Sequence, residues 1–424
     1  MKDSRTIAYE LLQDWEEKKT FPNLALKTAL RSTPDPRERG FITALVYGVI
    51  EKKITLDYYI GQCANNKAAS PGGAVRSVLR LGIYQMFYMR VPASAACNTS
   101  VELIKRLGKS RSAGFVNAVL RRCDRERDTL LQLKKTDFSV RYSISAGLVD
   151  LLIDQYGKNG FCSIMDSLSH PSAAVYIYHN FKKGDESDFL SLMQAENILL
   201  SKTDLPHLFK SESGFSIEDS AAFRTGWFHI VGYHSALAAL MLQKKNARIL
   251  DLCAAPGGKT FILAALTEGL VQAYDIHPHK VELLQKAASR LGHSNVEIRQ
   301  GDAARQNTAL MDSADFVLCD VPCSGLGMMG KKPDIKYKAY NSSALCALQY
   351  QILENGASYL KKGGRLVYST CTIDQRENEL LVTAFLKEHP ELMPDETAFD
   401  GFQKCFLPDR DQDGFYIAVL KKKG

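Results

Sequence analysis

Along the first 130 residues the apolar positions recur with a helical period. Leu79, Ile83, Met86 and Phe87 fall at i, i+4, i+7 and i+8, which is one face of a helix. Val101, Ile104 and Gly108 continue the period in a second segment, and Phe115, Val116, Val119 and Leu120 in a third. Pro34 and Pro36, then Pro71, Gly72 and Gly73, interrupt the pattern where loops are expected. Arg76, Arg80, Lys105, Arg106, Lys109, Arg111, Arg121 and Arg122 lie between the apolar faces. The pattern predicts an all-α domain over residues 1–130.

Beyond it the period weakens. Val175–Tyr178 and Gly214–Ile217 read as strands, so residues 131–235 are expected to form a small α+β linker domain. From residue 236 the pattern changes to short apolar runs ending in small or acidic residues: Arg248–Leu252, Leu270–Tyr274, Val296–Arg299, Phe316–Cys319 and Arg365–Ser369. Helical stretches separate them. Strands alternating with helices mean βαβ units and a parallel sheet, with ligands beyond the carboxyl ends of the strands. Residues 236–424 are therefore expected to be a Rossmann-like α/β domain, and the runs Lys404–Leu407 and Phe415–Leu420 to close its sheet as a hairpin.

Composition narrows the class. With 424 residues, 45% hydrophobic and 24% charged, the chain reads as a multidomain globular protein. No apolar run is long enough to cross a bilayer, and Met1–Arg5 leads into a mixed stretch unlike a signal peptide, so a cytoplasmic location is expected. The ten cysteines are scattered, without zinc spacing, so neither a disulfide framework nor a metal site is expected. Residues 1–125 carry 21 Lys/Arg against 11 Asp/Glu, whereas the remainder is slightly acidic. A basic module beside a near-neutral one suits a polyanion such as RNA. A solvated helical surface with surplus lysines is the plainer alternative.

Asp251-Leu252-Cys253-Ala254-Ala255-Pro256-Gly257-Gly258-Lys259-Thr260 follows one strand and precedes an apolar helix. Small residues at such a turn let a ligand approach the backbone, and the helix start offers free N–H groups. A nucleotide-triphosphate loop needs a small residue, normally Gly, where Cys253 stands, and Pro256 removes a donor, so an NTPase fits poorly. The next strands lead to Asp275 and to Gly301-Asp302. Either carboxylate alone also suits a cap or turn. Together at one sheet edge they suit a ribose, an adenine amino group and a cationic sulfonium.

The fourth strand ends in Asp320-Val321-Pro322-Cys323-Ser324-Gly325, and a later one in Tyr368-Ser369-Thr370-Cys371-Thr372. Carbon 5 of cytosine is too weak a nucleophile to accept a methyl group unaided. A thiolate adding at carbon 6 makes the ring electron-rich, a donor at ring nitrogen 3 assists, and a base must later remove the carbon-5 proton. One Asp and two Cys could fill these needs, and spacing does not say which cysteine does what. Cys253, Cys319 and Cys346 read as packing residues.

These three motifs closely resemble those of the RNA 5-methylcytosine methyltransferase family. Pro333-Asp334-Ile335-Lys336-Tyr337, Leu407-Pro408 and Asp413-Gly414-Phe415-Tyr416 are similar to the same family, and Ala113–Arg121 is similar to the helical NusB-like RNA-binding domain. This domain order is similar to that of bacterial members that methylate a cytosine of 16S ribosomal RNA. The resemblance implies a class I methyltransferase domain using S-adenosylmethionine, with Cys253, Ala254, Ala255, Pro256, Gly257, Gly258, Lys259, Asp275, Asp302 and Asp320 at the cofactor. It implies Cys371 as nucleophile, Cys323 assisting release of the product, and Asp320 in the chemistry. Cys323 stays the rival nucleophile, because DNA cytosine methyltransferases use a Pro-Cys cysteine.

One departure is visible. Where the family usually has Val-Gln-Asp, this chain has Val231-Gly232-Tyr233-His234-Ser235, so a polar contact near the cofactor is missing. The expected protein is a monomer that binds RNA without metal or membrane and takes a base flipped out of any helix. Alternatives are a related enzyme acting on transfer RNA or large-subunit RNA, and a non-catalytic RNA-binding assembly factor. The NusB-like module argues against the first, and intact Lys259, Asp320, Cys323 and Cys371 against the second.

Overall fold

The computed structural model describes residues 3–18, 22–64, 72–133, 137–169, 175–212, 214–339 and 342–424. The chain divides into two compact units, Met1–Gly157 with Lys332–Lys338, and Lys158–Lys331 with Ala339–Gly424. Among the described residues no helix is long and apolar enough to cross a membrane.

The first unit is helical. The helix Gly73–Tyr88 lies at its centre, and it buries Leu79, Ile83, Met86 and Phe87 together with Val75, Val78 and Leu81 from its other sides. A helix buried nearly all round needs apolar residues beyond one stripe. The helices Pro36–Glu51, Lys53–Cys63, Ala93–Arg106 and Ala113–Arg125 surround it, the last burying Val116, Val119 and Leu120. Pro36 opens its helix behind Asp35, whose carboxylate accepts from the Arg37 N–H. Gly72 caps the central helix and Gly73 begins it, while Pro71 lies outside the described residues.

Two expectations need correction here. Gly108 does not continue a helical face: it follows the helix Ala93–Arg106 at φ +73°, and the Lys109 N–H reaches back to the Ile104 carbonyl. Glycine is the residue that ends a helix in this left-handed conformation. Arg80 is no surface cation either. It is 3% exposed, its guanidinium forks onto both oxygens of Asp57 at 2.7 Å, and it reaches Glu16 at 2.6 Å. The position is polar in sequence yet faces inward, because a buried charge is tolerated when paired. Lys105, Arg106, Lys109, Arg111 and Arg121 are exposed.

The segment Lys332–Lys338 belongs to this helical unit although it comes from the distal half of the chain. The Tyr337 hydroxyl donates to the Glu51 carbonyl at 2.9 Å and pairs with Ser143 Oγ at 2.8 Å, and the Ser145 N–H donates to the Lys336 carbonyl.

The second unit holds two sheets. The smaller is antiparallel and comprises β1 (Tyr176–His179), β2 (Leu200–Lys202), β3 (Leu208–Ser211) and β4 (Phe228–Ile230), in the order β2-β3-β1-β4. The expected strand at Gly214–Ile217 is absent. Ile217–Asp219 forms a 3-10 turn, and the half-buried Phe215 ring meets Phe228 edge-on. Both edges of β1 are already paired, with β3 and β4.

The larger sheet has eight strands: β5 (Ile249–Asp251), β6 (Val271–Asp275), β7 (Val296–Gln300), β8 (Ala314–Asp320), β9 (Leu360–Thr370), β10 (Leu392–Pro394), β11 (Gln403–Phe406) and β12 (Phe415–Lys422). Their order is β10-β12-β9-β8-β5-β6-β7, with β11 also on β12. The five from β9 to β7 in that order run parallel, and β12 is antiparallel to β9. The expected strands and the closing hairpin of β11 and β12 are present, and β10 is an addition. The helix Gly258–Leu266 is buried nearly all round, whereas Pro278–Leu291 buries one face through Val281, Leu284, Ala288 and Leu291. The architecture is therefore an all-α N-terminal part, a small α+β element and a Rossmann-like α/β fold.

Buried histidines give this unit a pH dependence. His179 stacks on Phe189 at 4.5 Å, and neither of its ring nitrogens has a partner. Burial pushes His179, His234 and His293 down to about 4, and His229 down to about 3. An unfolded histidine takes up a proton near pH 6.5 while these do not, so stability falls as pH drops from about 6.5 towards 4. We predict that the unfolding midpoint in urea falls over that window. His179→Phe, which keeps the ring stack, should flatten the fall, and an unchanged pH profile would count against this origin.

Candidate active site

Because β9, β8, β5, β6 and β7 run parallel, their carboxyl ends open on one edge. The chain leaves β5 for β6 and β7 on one side and returns to β8 on the other. That reversal makes the crevice between β5 and β8 the place where such folds bind ligands.

At β5 the turn Cys253–Gly257 leads into the helix Gly258–Leu266. Gly257 has φ +104°, and a Cβ there would lie 2.4 Å from the Phe261 ring and 2.8 Å from Leu284. The turn is fixed by the Ala254 N–H on the Tyr274 carbonyl at 2.8 Å and the Gly257 N–H on the Ala254 carbonyl at 2.7 Å. Beneath it Asp251 accepts from Thr260 Oγ1 at 2.7 Å while its other oxygen has no partner, and burial pushes this carboxyl up to about 7. The residues before the helix Tyr233–Leu240 also touch the turn, through His229 Nε2 at 3.0 Å from the Gly258 carbonyl.

Lys259 and Asp320 join the β5 and β8 ends. Lys259 Nζ lies 2.7 Å from one Asp320 oxygen and 3.3 Å from Ser235 Oγ, while Ser369 Oγ donates to the other Asp320 oxygen at 2.7 Å. Ser235 and Ser369 were not singled out from sequence, since lone serines carry no signal there. Asp275 at the end of β6 accepts from the His277 N–H at 3.0 Å, with Lys280 at 3.7 Å. The following helix takes His277 as its N-cap, so Asp275 is not the cap. Asp302 accepts from the Ala304 N–H at 3.0 Å.

At the β8 and β9 ends the Cys323 and Cys371 sulfurs are 3.3 Å apart, and both residues are partly exposed. The contact with Cys371, and then burial, hold the Cys323 thiol well above its usual range. Ser324 Oγ and Thr372 Oγ1 pair at 2.7 Å, tying the two loops together. Of the remaining cysteines, Cys319 is fully buried in the sheet core, while Cys253 and Cys346 are partly exposed. The structure thus gathers Cys253–Lys259, Asp275, Asp302, Asp320, Cys323 and Cys371 along one edge, with Asp275 and Asp302 towards β7 and the Cys323–Cys371 pair towards β9. Such an edge can bind a cationic, diol-bearing ligand beside a nucleophilic sulfur.

The turn gives a direct test. Gly257→Ala should cost at least about 1–2 kcal/mol from the left-handed backbone alone. Gly214→Ala, where nothing lies within 4 Å, should stay within about 0.5 kcal/mol. Urea unfolding of the two variants checks this, and equal stabilities would contradict the crowding at the turn.

Comparison with known proteins agrees with this arrangement. Residues 238–421 match the family described as 16S rRNA methyltransferase RsmB/F, and residues 2–125 match the NusB family. The chain is 35% identical to the probable ribosomal RNA small subunit methyltransferase B of Bacillus subtilis, over 99% of both chains. The crystal structure of PH0851 superposes with a TM-score of 0.79 at 22% identity, covering 100% of this chain and 99% of that one. NSun6 from Pyrococcus horikoshii, solved with SFG, gives a TM-score of 0.59 at 21% identity over 66% of this chain and 98% of its own. Matched by a relative along nearly its whole length and by both domain families, the chain belongs to the RsmB/F family of 16S ribosomal RNA methyltransferases.

Proposed function

We propose that this protein transfers a methyl group from S-adenosylmethionine to carbon 5 of a cytosine in 16S ribosomal RNA, through a covalent bond between Cys371 and the base. The observation that carries the reading is the pair of sulfurs 3.3 Å apart at the ends of adjacent parallel strands, on the same sheet edge as the Lys259–Asp320 pair. A binding protein has no use for that pair.

The residues present fit the cofactor. Three carboxylates at or just after successive strand ends suit a ribose, an adenine amino group and a sulfonium. In this reading Cys253 to Lys259, Asp275, Asp302 and Asp320 hold S-adenosylmethionine, which supplies an electrophilic methyl group. The Cys371 sulfur bonds to carbon 6 of the base as the 5,6 double bond opens, and Asp320 assists at ring nitrogen 3. After transfer a base takes the carbon-5 proton. The electron pair of that C–H bond restores the 5,6 double bond, the carbon–sulfur bond breaks, and Cys371 leaves as thiolate with the help of Cys323.

The ribosomal substrate is supported by the name of the Bacillus subtilis relative and by the exposed cations Lys105, Arg106, Lys109, Arg111 and Arg121 of the NusB-family part. They suit a phosphate backbone and carry little sequence reading of their own. The division into 1–130, 131–235 and 236–424, and a cytoplasmic monomer, belong to the same proposal.

Labelled S-adenosylmethionine with unmodified 16S RNA tests the reaction. Methyl transfer to carbon 5 should vanish with Cys371→Ala, whereas Cys323→Ala should accumulate an RNA–protein adduct. A Cys323→Ser variant that is dead while Cys371→Ser turns over would reverse the two roles. Transfer to transfer RNA or large-subunit RNA alone would move the substrate. In the Val231–Ser235 segment, Gly232→Gln/Tyr233→Asp should change the affinity for S-adenosylmethionine while activity is retained. An unchanged affinity by calorimetry would remove that contact from the account.

A further inference from the structure

Two buried residues that no sequence motif marked grip the loop carrying Cys323. Glu377 follows the end of β9 and Gln349 lies on the helix Ser342–Tyr359, and both are fully buried. One Glu377 oxygen, Oε2, accepts from the Ser324 N–H at 3.0 Å and from Gln349 Nε2 at 2.7 Å. Gln349 Nε2 also donates to the Pro322 carbonyl at 2.9 Å. The backbone on either side of Cys323 is thus held by this pair. The second Glu377 oxygen and the Gln349 amide oxygen, both Oε1, are buried without a partner. Desolvating a carboxylate in this way is costly, and a neutral core would avoid the cost.

Cys371 is fixed by different contacts. Thr370 Oγ1 pairs with Asn378 Oδ1 at 2.7 Å, and Asn378 Nδ2 donates to the Thr372 carbonyl at 3.0 Å. Different side chains thus brace the two cysteine loops, and the Ser324–Thr372 hydroxyl pair joins them.

We propose that Glu377 and Gln349 are positioning residues for Cys323, setting its distance from the Cys371 sulfur and hence the rate at which the methylated base is released. This rests on the reading in which Cys371 is the nucleophile and Cys323 assists release. The pair bonds the backbone on either side of Cys323 and makes none of the bonds that hold Thr370 and Thr372, so its effect falls on the release step: bond formation at Cys371 proceeds, and the adduct lingers.

The full-length chain with 16S RNA and labelled S-adenosylmethionine provides the test, reading single-turnover methyl transfer and denaturant-stable RNA–protein adduct separately. Misplacement of a reacting group by about 1 Å costs up to roughly 100-fold, so Glu377→Ala and Gln349→Met should slow release roughly 10- to 100-fold and accumulate adduct. Methyl transfer should stay within roughly threefold of wild type, the pattern of a step-specific loss. Glu377→Gln should largely restore release, because its amide oxygen can accept both bonds. If Glu377→Ala does not fold, by its thermal midpoint, the nearly isosteric Gln349→Met carries the test. Transfer and release falling together without adduct, release unchanged in Gln349→Met, or Glu377→Gln as slow as Glu377→Ala would each overturn the proposal. Cys323→Ala separates the two levels. Adduct with Cys323→Ala but not with the positioning variants overturns this proposal alone, and no adduct with Cys323→Ala removes the reading beneath it.

Discussion

Five strands pointing the same way impose one constraint on everything else in the second unit. A parallel strand hands its chain to the loop at its carboxyl end, so β9, β8, β5, β6 and β7 deliver their loops to a single edge. Residues as far apart in sequence as Cys253 and Cys371 become neighbours along that edge, in the spatial order of the strands. The order matters chemically. Asp275 and Asp302 follow β6 and β7 on one side of the crevice, Asp320 and the two close thiols follow β8 and β9 on the other, and the Lys259–Asp320 pair spans it at 2.7 Å.

The second feature is the density of buried polar contacts under the thiols. Ser324 and Thr372 join the two cysteine loops, Asn378 ties β9 to its following turn, and the Tyr368 hydroxyl donates to the Glu377 carbonyl at 2.7 Å. A buried polar group without a partner costs more than a made hydrogen bond gains, so such a network has few alternative arrangements. Rigidity of that kind suits a site where two sulfurs must keep a separation of 3.3 Å.

In the helical unit the same principle appears as a buried ion pair. Arg80, read from its neighbours in sequence, belongs to the basic surface, yet its guanidinium is spent on Asp57 and Glu16 inside the fold. The cations that remain exposed, among them Lys105, Lys109 and Arg121, are the ones left to meet a polyanion.

Much of this was legible in the chain itself. Period and punctuation gave the helices around Leu79 and Val116 and the five parallel strands, since these signals depend only on which residues alternate along the backbone. The glycine turn, Asp320 and both cysteines stood out because rare residue types clustered at strand ends. Three-residue strands such as β2 and β10, the coil at Gly214–Ile217 and the helix end at Gly108 were not legible, because their state depends on partners or on a single dihedral. The sequence by itself determined the class of fold and the chemical groups at its edge, for those follow from local pattern and composition. Only the tertiary structure decided that Arg80 faces inward, that Lys332–Lys338 completes the helical unit, and that Glu377 and Gln349 flank Cys323. These are contacts between residues tens to hundreds of positions apart, and no local pattern encodes which distant groups meet.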